Sequence, residues 1–164
     1  MALGDIIPYE NSNASAFNGT LKFLVASGTT ASIKAGEPVQ KIAGAAAVTS
    51  MLTNSPTTTN RIVGVAMSTS NETASVAGTV DVVPATIGQL WLIKPKVTIG
   101  FTDTQANYNS QVGKRVLIDL TSSSFTLLAI DGASNGVIVE YLDISRYPGM
   151  VAISWSSVVD YRNV

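Results

Sequence analysis

Residues 61–84, which read RIVGVAMSTSNETASVAGTVDVVP, decide the fold because they predict two β-strands joined by a polar connector. Residues 62–67 are apolar around a central glycine, and residues 73–84 alternate in character with the period of two that is typical of a strand. The intervening residues 68–72 are polar and have the length of a hairpin loop. We therefore predict a central antiparallel hairpin, and we expect no chemistry from it.

The rest of the chain predicts further short strands and no long amphipathic helix. Apolar runs recur at intervals of about ten to thirteen residues in the second half and are separated by turn sequences rich in Gly, Ser, Asn and Asp. This spacing is typical of a sandwich or a barrel. The predicted fold is all-β: a small antiparallel barrel or sandwich, with residues 1–16 as an extended N-terminal arm and residues 17–164 as a single β-rich domain.

Three segments lie outside this strand pattern. Residues 43–51 are rich in alanine and predict either a short helix or a Gly-Ala-rich loop. Residues 53–60 are polar and of low complexity, which indicates an exposed loop. Residues 101–111 are also polar, and we expect a loop long enough to carry function.

The composition removes several classes of site. The 164 residues include no cysteine and no histidine. Disulfides, thiolate metal sites, cysteine nucleophiles and every catalytic arrangement that depends on imidazole are therefore absent. We expect no enzymatic activity, no cofactor and no metal.

Charge and hydropathy limit the partners. Charged residues make up 13% of the chain against about 25% in an average domain, and the net charge is −1. No basic cluster indicates nucleic acid, and no apolar run approaches the roughly 20 residues of a membrane helix. Asp5 and Glu10 stand where a signal peptide would be basic and apolar. We expect a soluble protein made inside the cell.

Two groups of residues are candidates for chemistry or for sugar binding. Six carboxylates could pair for glycoside hydrolysis or bind calcium, but none follows the spacing of a calcium loop: Asp103, Asp119, Asp131, Glu140, Asp143 and Asp160. Trp91 and Trp155 lie inside apolar runs, so we predict that both belong to the core rather than to a sugar-stacking face.

Gly64 lies within a predicted strand, where glycine marks a bulge or a close approach of two backbones.

The order of features resembles that of one family. Residues 33–39 (IKAGEPV), residues 62–66 (IVGVA), the Glu72-Thr73 pair and residues 80–82 (VDV) follow each other as they do in the capsid decoration proteins of tailed bacteriophages, which are also called cement or head-stabilising proteins. Proteins of this family are small β-rich domains, commonly homotrimers. They bind the outside of an icosahedral shell and bridge neighbouring major capsid subunits, often through an extended terminal arm.

The resemblance implies a non-catalytic virion protein that is made in the host cytoplasm and carried on the capsid exterior. Its expected partner is the major capsid protein, with no nucleic acid and no membrane. The residues that we expect to contact the capsid are Asp5, Ile6, Ile7, Tyr9 and Tyr108.

Two other functions remain open. One is a carbohydrate-binding module of a phage tail spike or fibre, which would use Tyr108 with Asn107 and Asn109. The other is a hydrolase that uses paired carboxylates without histidine.

Overall fold

The computed structural model describes residues 6–8, 19–28, 30, 32–42, 44–51, 60–87, 89–95, 104–121, 124–128 and 136–155. These residues form the following elements in chain order: β1 (Ile6–Pro8), β2 (Leu21–Val25), β3 (Pro38–Ile42), β4 (Val48–Ser50), β5 (Asn60–Ala66), β6 (Gly78–Pro84), β7 (Leu90–Ile93), α1 (Gln105–Asn109), β8 (Arg115–Thr121), β9 (Ser124–Leu128), β10 (Val137–Glu140) and β11 (Val151–Ser154). The all-β prediction is confirmed.

The first half of the chain closes into a small barrel in the order β2-β4-β3-β5-β6, and β6 pairs back onto β2. Strands β2 and β6 are paired along the whole of β2. In contrast, β2 and β4 run parallel and are joined in the ladder by one pair, Val25 with Val48. The barrel therefore has one weakly paired seam, between β2 and β4. Its interior is filled by small apolar side chains: Val25, Ile33, Val39, Val48, Val63, Ala66, Val80 and Val82.

The predicted hairpin is present as β5 and β6, which are antiparallel with Val65 opposite Val83. The predicted connector was wrong in length, because β6 begins at Gly78 and the connector spans residues 67–77. Thr73 and Val76 form a local turn instead of a strand: the Thr73 N–H donates to the Val76 carbonyl at 2.9 Å, and the Val76 N–H donates to the Thr73 hydroxyl at 3.1 Å. A local turn thus overrides the alternating pattern.

A bulge explains why residues 62–66 are apolar without alternation. The register of β3 and β5 shifts, so that Val39 pairs with Gly64 while Gln40 pairs with Ile62. Val63 then faces the barrel interior, whereas Ile62 and Val65 pack into a second core. The close approach predicted at Gly64 is confirmed, because a Cβ at this position would overlap the carbonyl oxygen of Val83.

The remaining strands form one sheet in the order β1-β7-β11-β10-β8-β9. All four residues of β11 are buried, which means that both faces of the centre of this sheet are covered. Its main core also takes in four side chains from the barrel half of the chain: Met51, Ile62, Val65 and Ala85. The outer wall of the barrel and the sheet are therefore packed against each other.

Two predictions for the irregular segments need correction. The loop alternative holds for residues 44–47, which belong to no helix or strand, but neither alternative accounts for β4, which follows them and completes the barrel. The predicted loop at residues 101–111 contains α1, whose first turn is capped by the Thr104 hydroxyl. Thr104 is a preferred N-cap residue type, since its side chain satisfies an amide at the helix start.

Candidate functional site

The predicted contact residues near the N-terminus lie partly in the core. β1 pairs with β7 at the edge of the sheet, with Ile6 opposite Ile93. Ile6 is 2% exposed and belongs to the main core, while Ile7 is half-buried and packs against that core. Asp5 and Tyr9 lie outside the described residues. The segment predicted to be an arm thus contributes at least one side chain to the chain's own packing.

Tyr108 connects α1 to the sheet. Its ring is 2% exposed, and its hydroxyl donates to the Glu140 carbonyl at 2.7 Å and accepts the Ala152 N–H at 2.9 Å. Glu140 and Ala152 are opposite each other in the ladder of β10 and β11, so the hydroxyl bridges the two strands. Burial raises the pKa of Tyr108 to about 12; the Ala152 N–H opposes the shift and the charge of Glu140 adds to it. A ring buried in this way has no free face for stacking on a sugar.

Of the described carboxylates that we considered for hydrolysis, two accept hydrogen bonds from serines and one is buried in a strand. Glu140 accepts the Ser154 hydroxyl at 2.5 Å, and Asp119 is buried in β8. Asp143 accepts the hydroxyl and the N–H of Ser145, which hold its pKa below the usual range. Asp103, Asp131 and Asp160 lie outside the described residues. Among the residues that are described, no group of three or more His, Cys, Asp or Glu could hold a metal ion.

The two tryptophans are in the core, as predicted. Trp91 and Trp155 are 2% and 1% exposed, and their ring centroids are 6.2 Å apart. This placement favours a packing role for both rings.

A buried carboxylate fastens the 67–77 connector to the end of the barrel. Glu72 is 1% exposed, and its Oε1 accepts the Ser32 N–H at 2.6 Å and the Ser32 hydroxyl at 2.5 Å. The adjacent Ser70 hydroxyl accepts the Ile33 N–H and donates to the Ile33 carbonyl. Burial alone would raise the pKa of Glu72, but the hydrogen bonds from Ser32, helped by the nearby Ser70, lower it to about 2. Glu72 is thus ionised at neutral pH.

A second carboxylate occupies a similar position on the other side of the same barrel end. Glu37 Oε2 accepts the Lys34 N–H at 3.0 Å and the Ser50 hydroxyl at 3.0 Å. These bonds tie the turn before β3 to the end of β4. Like Glu72, Glu37 accepts a hydrogen bond from the hydroxyl of a serine at the seam between β2 and β4.

A pocket of about 250 Å³ opens at this seam. It is lined by residues 25–28, Ser32 and residues 48–50, and we call it the seam pocket. Both hydrogen-bonded serines, Ser32 and Ser50, lie in its wall, whereas Glu37 and Glu72 stand behind them. Thr49 also lines the pocket, but its side chain lies on the face of β4 opposite to that of Ser50, where its buried hydroxyl has no hydrogen-bond partner in the described part of the chain.

The barrel also presents an exposed surface, the outer barrel face, formed by Lys22, Leu24, Met67 and Asp81. Lys22 and Asp81 are opposite each other in the ladder of β2 and β6, and their charged groups are 3.6 Å apart. Leu24 lies two residues from Lys22 on the same face of β2, and the Met67 N–H donates to the Asp81 carbonyl at 2.8 Å. The two apolar side chains are 47% and 49% exposed. Two half-exposed apolar side chains therefore lie beside a surface ion pair on this face.

Little in the sequence indicates the seam pocket or the outer barrel face. Glu72 reads as a connector residue and Glu37 as part of a turn, and nothing local indicates that each holds a distant serine. The low charge of the chain is a useful signal in retrospect, since only 11 of the residues are Asp or Glu and two of them bind backbone groups at one barrel end.

Comparison with protein-family models, with curated proteins and with solved structures finds no significant match to this chain. In the described residues, no helix has the length and apolar character that a membrane crossing requires.

Proposed function

We propose that this protein is a non-catalytic structural protein that decorates the outer surface of a tailed-phage capsid and bridges major capsid subunits. The observation that carries the proposal is the outer barrel face. Leu24 and Met67 are each about half exposed on a β-barrel whose interior is already filled. Because each side chain is already about half buried, complete coverage by a partner would gain about half of the 1.5–3 kcal/mol of a fully exposed side chain, or about 1 kcal/mol each.

The resemblance to capsid decoration proteins supplies the partner, and the physical chemistry of the chain suits it. A decoration protein acts through contact area and repetition rather than through bond chemistry. A homotrimer that joins three sites would raise the avidity by about 10² to 10⁴ without any new type of contact.

The test is binding to empty capsid shells, measured by co-sedimentation. The wild-type protein should sediment with the shells in a fixed ratio to the major capsid subunit. Leu24→Asp should weaken binding about tenfold or more, because it places a charge at the centre of the proposed contact. Val112→Asp is the matched control, since Val112 is an exposed apolar residue of the sheet half of the chain. Equal binding of both variants would contradict the role of the outer barrel face, and an absence of wild-type binding would contradict capsid decoration.

Deleting the first ten residues is a weaker test of the proposed function. Ile6 is part of the main core and β1 is a strand of the sheet, so the deletion removes packing along with any contact surface. Substitutions on the outer barrel face leave β1 and the main core in place.

A further inference from the structure

The hydrogen bonds around the seam pocket fix the direction of two hydroxyl protons. An ionised carboxylate accepts hydrogen bonds and has no proton to donate. Ser32 must therefore donate its hydroxyl proton to Glu72, and Ser50 must donate its proton to Glu37. Each hydroxyl is left with lone pairs only, so these two serines can offer only hydrogen-bond acceptors to the seam pocket.

The hydroxyl of Thr49 does not add to them. Thr49 is opposite Gln40 in the ladder of β3 and β4, whereas Ser50 is opposite Val39, so the two side chains lie on opposite faces of β4. Each serine hydroxyl can accept through two lone pairs. Ser32 and Ser50 together therefore provide two acceptor oxygens along the seam.

The charge of the pocket surroundings is negative. Glu37 and Glu72 do not line the pocket themselves, but each accepts a hydrogen bond from a serine that does. Neither carboxylate has a cationic partner among the described residues. The remaining wall includes Val25, Ala26 and Val48, which are apolar. The site thus combines a hydrocarbon lining with acceptor oxygens and an uncompensated negative field.

From this arrangement we propose that the seam pocket binds an alkylammonium group, and that the natural source of this group is a lysine side chain of the protein's partner. An ammonium has three N–H donors on a compact head, so it can donate to the two serine oxygens and keep one donor in solvent, and its alkyl stem suits the apolar lining. A guanidinium is planar and forms its best contacts directly with a carboxylate, which is out of reach behind the serines here. A volume of about 250 Å³ has room for one such side chain.

The choice of a partner's lysine rests on the proposed function, but the preference of the pocket for an ammonium does not. The ammonium preference of the pocket and the assignment to a partner's lysine can therefore be refuted separately. Small amines test whether the pocket binds an ammonium group, and binding to capsid shells tests whether that group belongs to the partner.

The first experiment is a titration of the ¹⁵N-labelled full chain, followed by amide chemical shifts at constant ionic strength. Butylammonium should shift the amides of residues 26–28 and 48–50 saturably, with a dissociation constant in the millimolar range. Butanol has the same stem without the charge and should not. Saturable shifts of equal size with both probes would overturn the proposal, as would the absence of shifts with butylammonium.

Variants locate the site. Glu37→Gln removes one charge, and Ser50→Ala removes one acceptor; each should weaken butylammonium binding about tenfold. Ser145→Ala removes a hydroxyl that donates to Asp143 far along the chain, and it should leave binding unchanged. Ser27→Phe, at an exposed position in the pocket wall, should abolish binding by filling the mouth while leaving both carboxylates in place. Unchanged binding in Ser27→Phe would refute the seam pocket as the site, even if the other two variants failed to fold.

A further comparison distinguishes the source of the ammonium group. Lysine blocked at both its backbone ends should bind at least as tightly as 1,4-diaminobutane if the pocket takes a protein side chain. Tenfold tighter binding of the diamine would overturn the lysine source in favour of a free amine. With shells, Ser27→Phe should lose affinity relative to the wild type; shell binding that Ser27→Phe leaves unchanged would overturn the lysine source while leaving capsid decoration intact.

Discussion

Replacing Glu72 with glutamine should remove a pH-dependent part of the stability of the fold. Glu72 lies in the 67–77 connector and accepts both the N–H and the hydroxyl of Ser32, forty positions earlier in the chain. Glutamine has nearly the same shape but no charge, and it introduces an amide group where the buried Oε2 has no partner in the described residues. The substitution thus tests the charge and its hydrogen bonds with little change in packing.

The expected size follows from the pKa of the carboxyl group. This pKa falls from 4.5 to about 2 on folding. A carboxyl group with a lowered pKa in the folded state contributes its full stabilisation above pH 4.5, and that contribution is lost as the pH falls through 2. At about 1.36 kcal/mol per pKa unit, the ceiling is about 3 kcal/mol. Asn71 and Thr73 on either side are exposed, so solvent screens part of the interaction, and we expect about 1–3 kcal/mol.

Urea unfolding of the wild type and of Glu72→Gln over a series of pH values measures this contribution. The free energy of unfolding should differ by about 1–3 kcal/mol at neutral pH, and the difference should shrink below pH 4.5 and close near pH 2. Ser32→Ala is the companion variant: it keeps the charge and removes one hydrogen bond, so it should show a smaller loss over the same pH window. A difference between wild type and Glu72→Gln that stays constant with pH would refute this account of Glu72.

Three further substitutions test the packing. Tyr108→Phe should lower the free energy of unfolding by about 1–3 kcal/mol, because it leaves two backbone groups without their bridging hydroxyl. Tyr141→Phe is the control, because Tyr141 is 63% exposed, and it should change the free energy of unfolding little. Equal effects of the two substitutions would contradict the bridging role of Tyr108. Ile6→Ala should cost about 2–5 kcal/mol and Ile7→Ala clearly less in the same urea assay, and the reverse order would show that Ile6 is not a core residue. Gly64→Ala should cost about 3 kcal/mol or more, since its Cβ would overlap the backbone of β6. A thermal melt indistinguishable from that of the wild type would argue against this close approach.

Local patterns in the sequence were sufficient for the strands that carry strong alternation or long apolar runs. The β5 and β6 pairing, the late strands of the sheet and the burial of Trp91 and Trp155 all follow from residue type and period. Short strands with weak patterns were missed. Strand β4 has three residues in an alanine-rich segment, and only its neighbours in the barrel make it a strand.

The contacts of the candidate site were beyond what a sequence pattern can determine. The partners of Glu72 are about forty residues away and those of Tyr108 are 32 and 44 residues away. Such pairings depend on how the barrel closes and on how the sheet packs against it. Tyr108, which reads as a contact residue in a polar loop, is therefore a buried bridge between strands.

The amino-acid sequence by itself determined the class of the fold and the kinds of chemistry open to it, because strand periodicity is local and the absence of histidine and cysteine needs no coordinates. The tertiary structure alone decided which polar groups are buried and where their protons point. Barrel closure brings Glu37 and Glu72 to the same end, and each then orients a serine at the seam between β2 and β4. The physical reason is that a hydrogen bond depends on distances between groups that the order of residues does not fix.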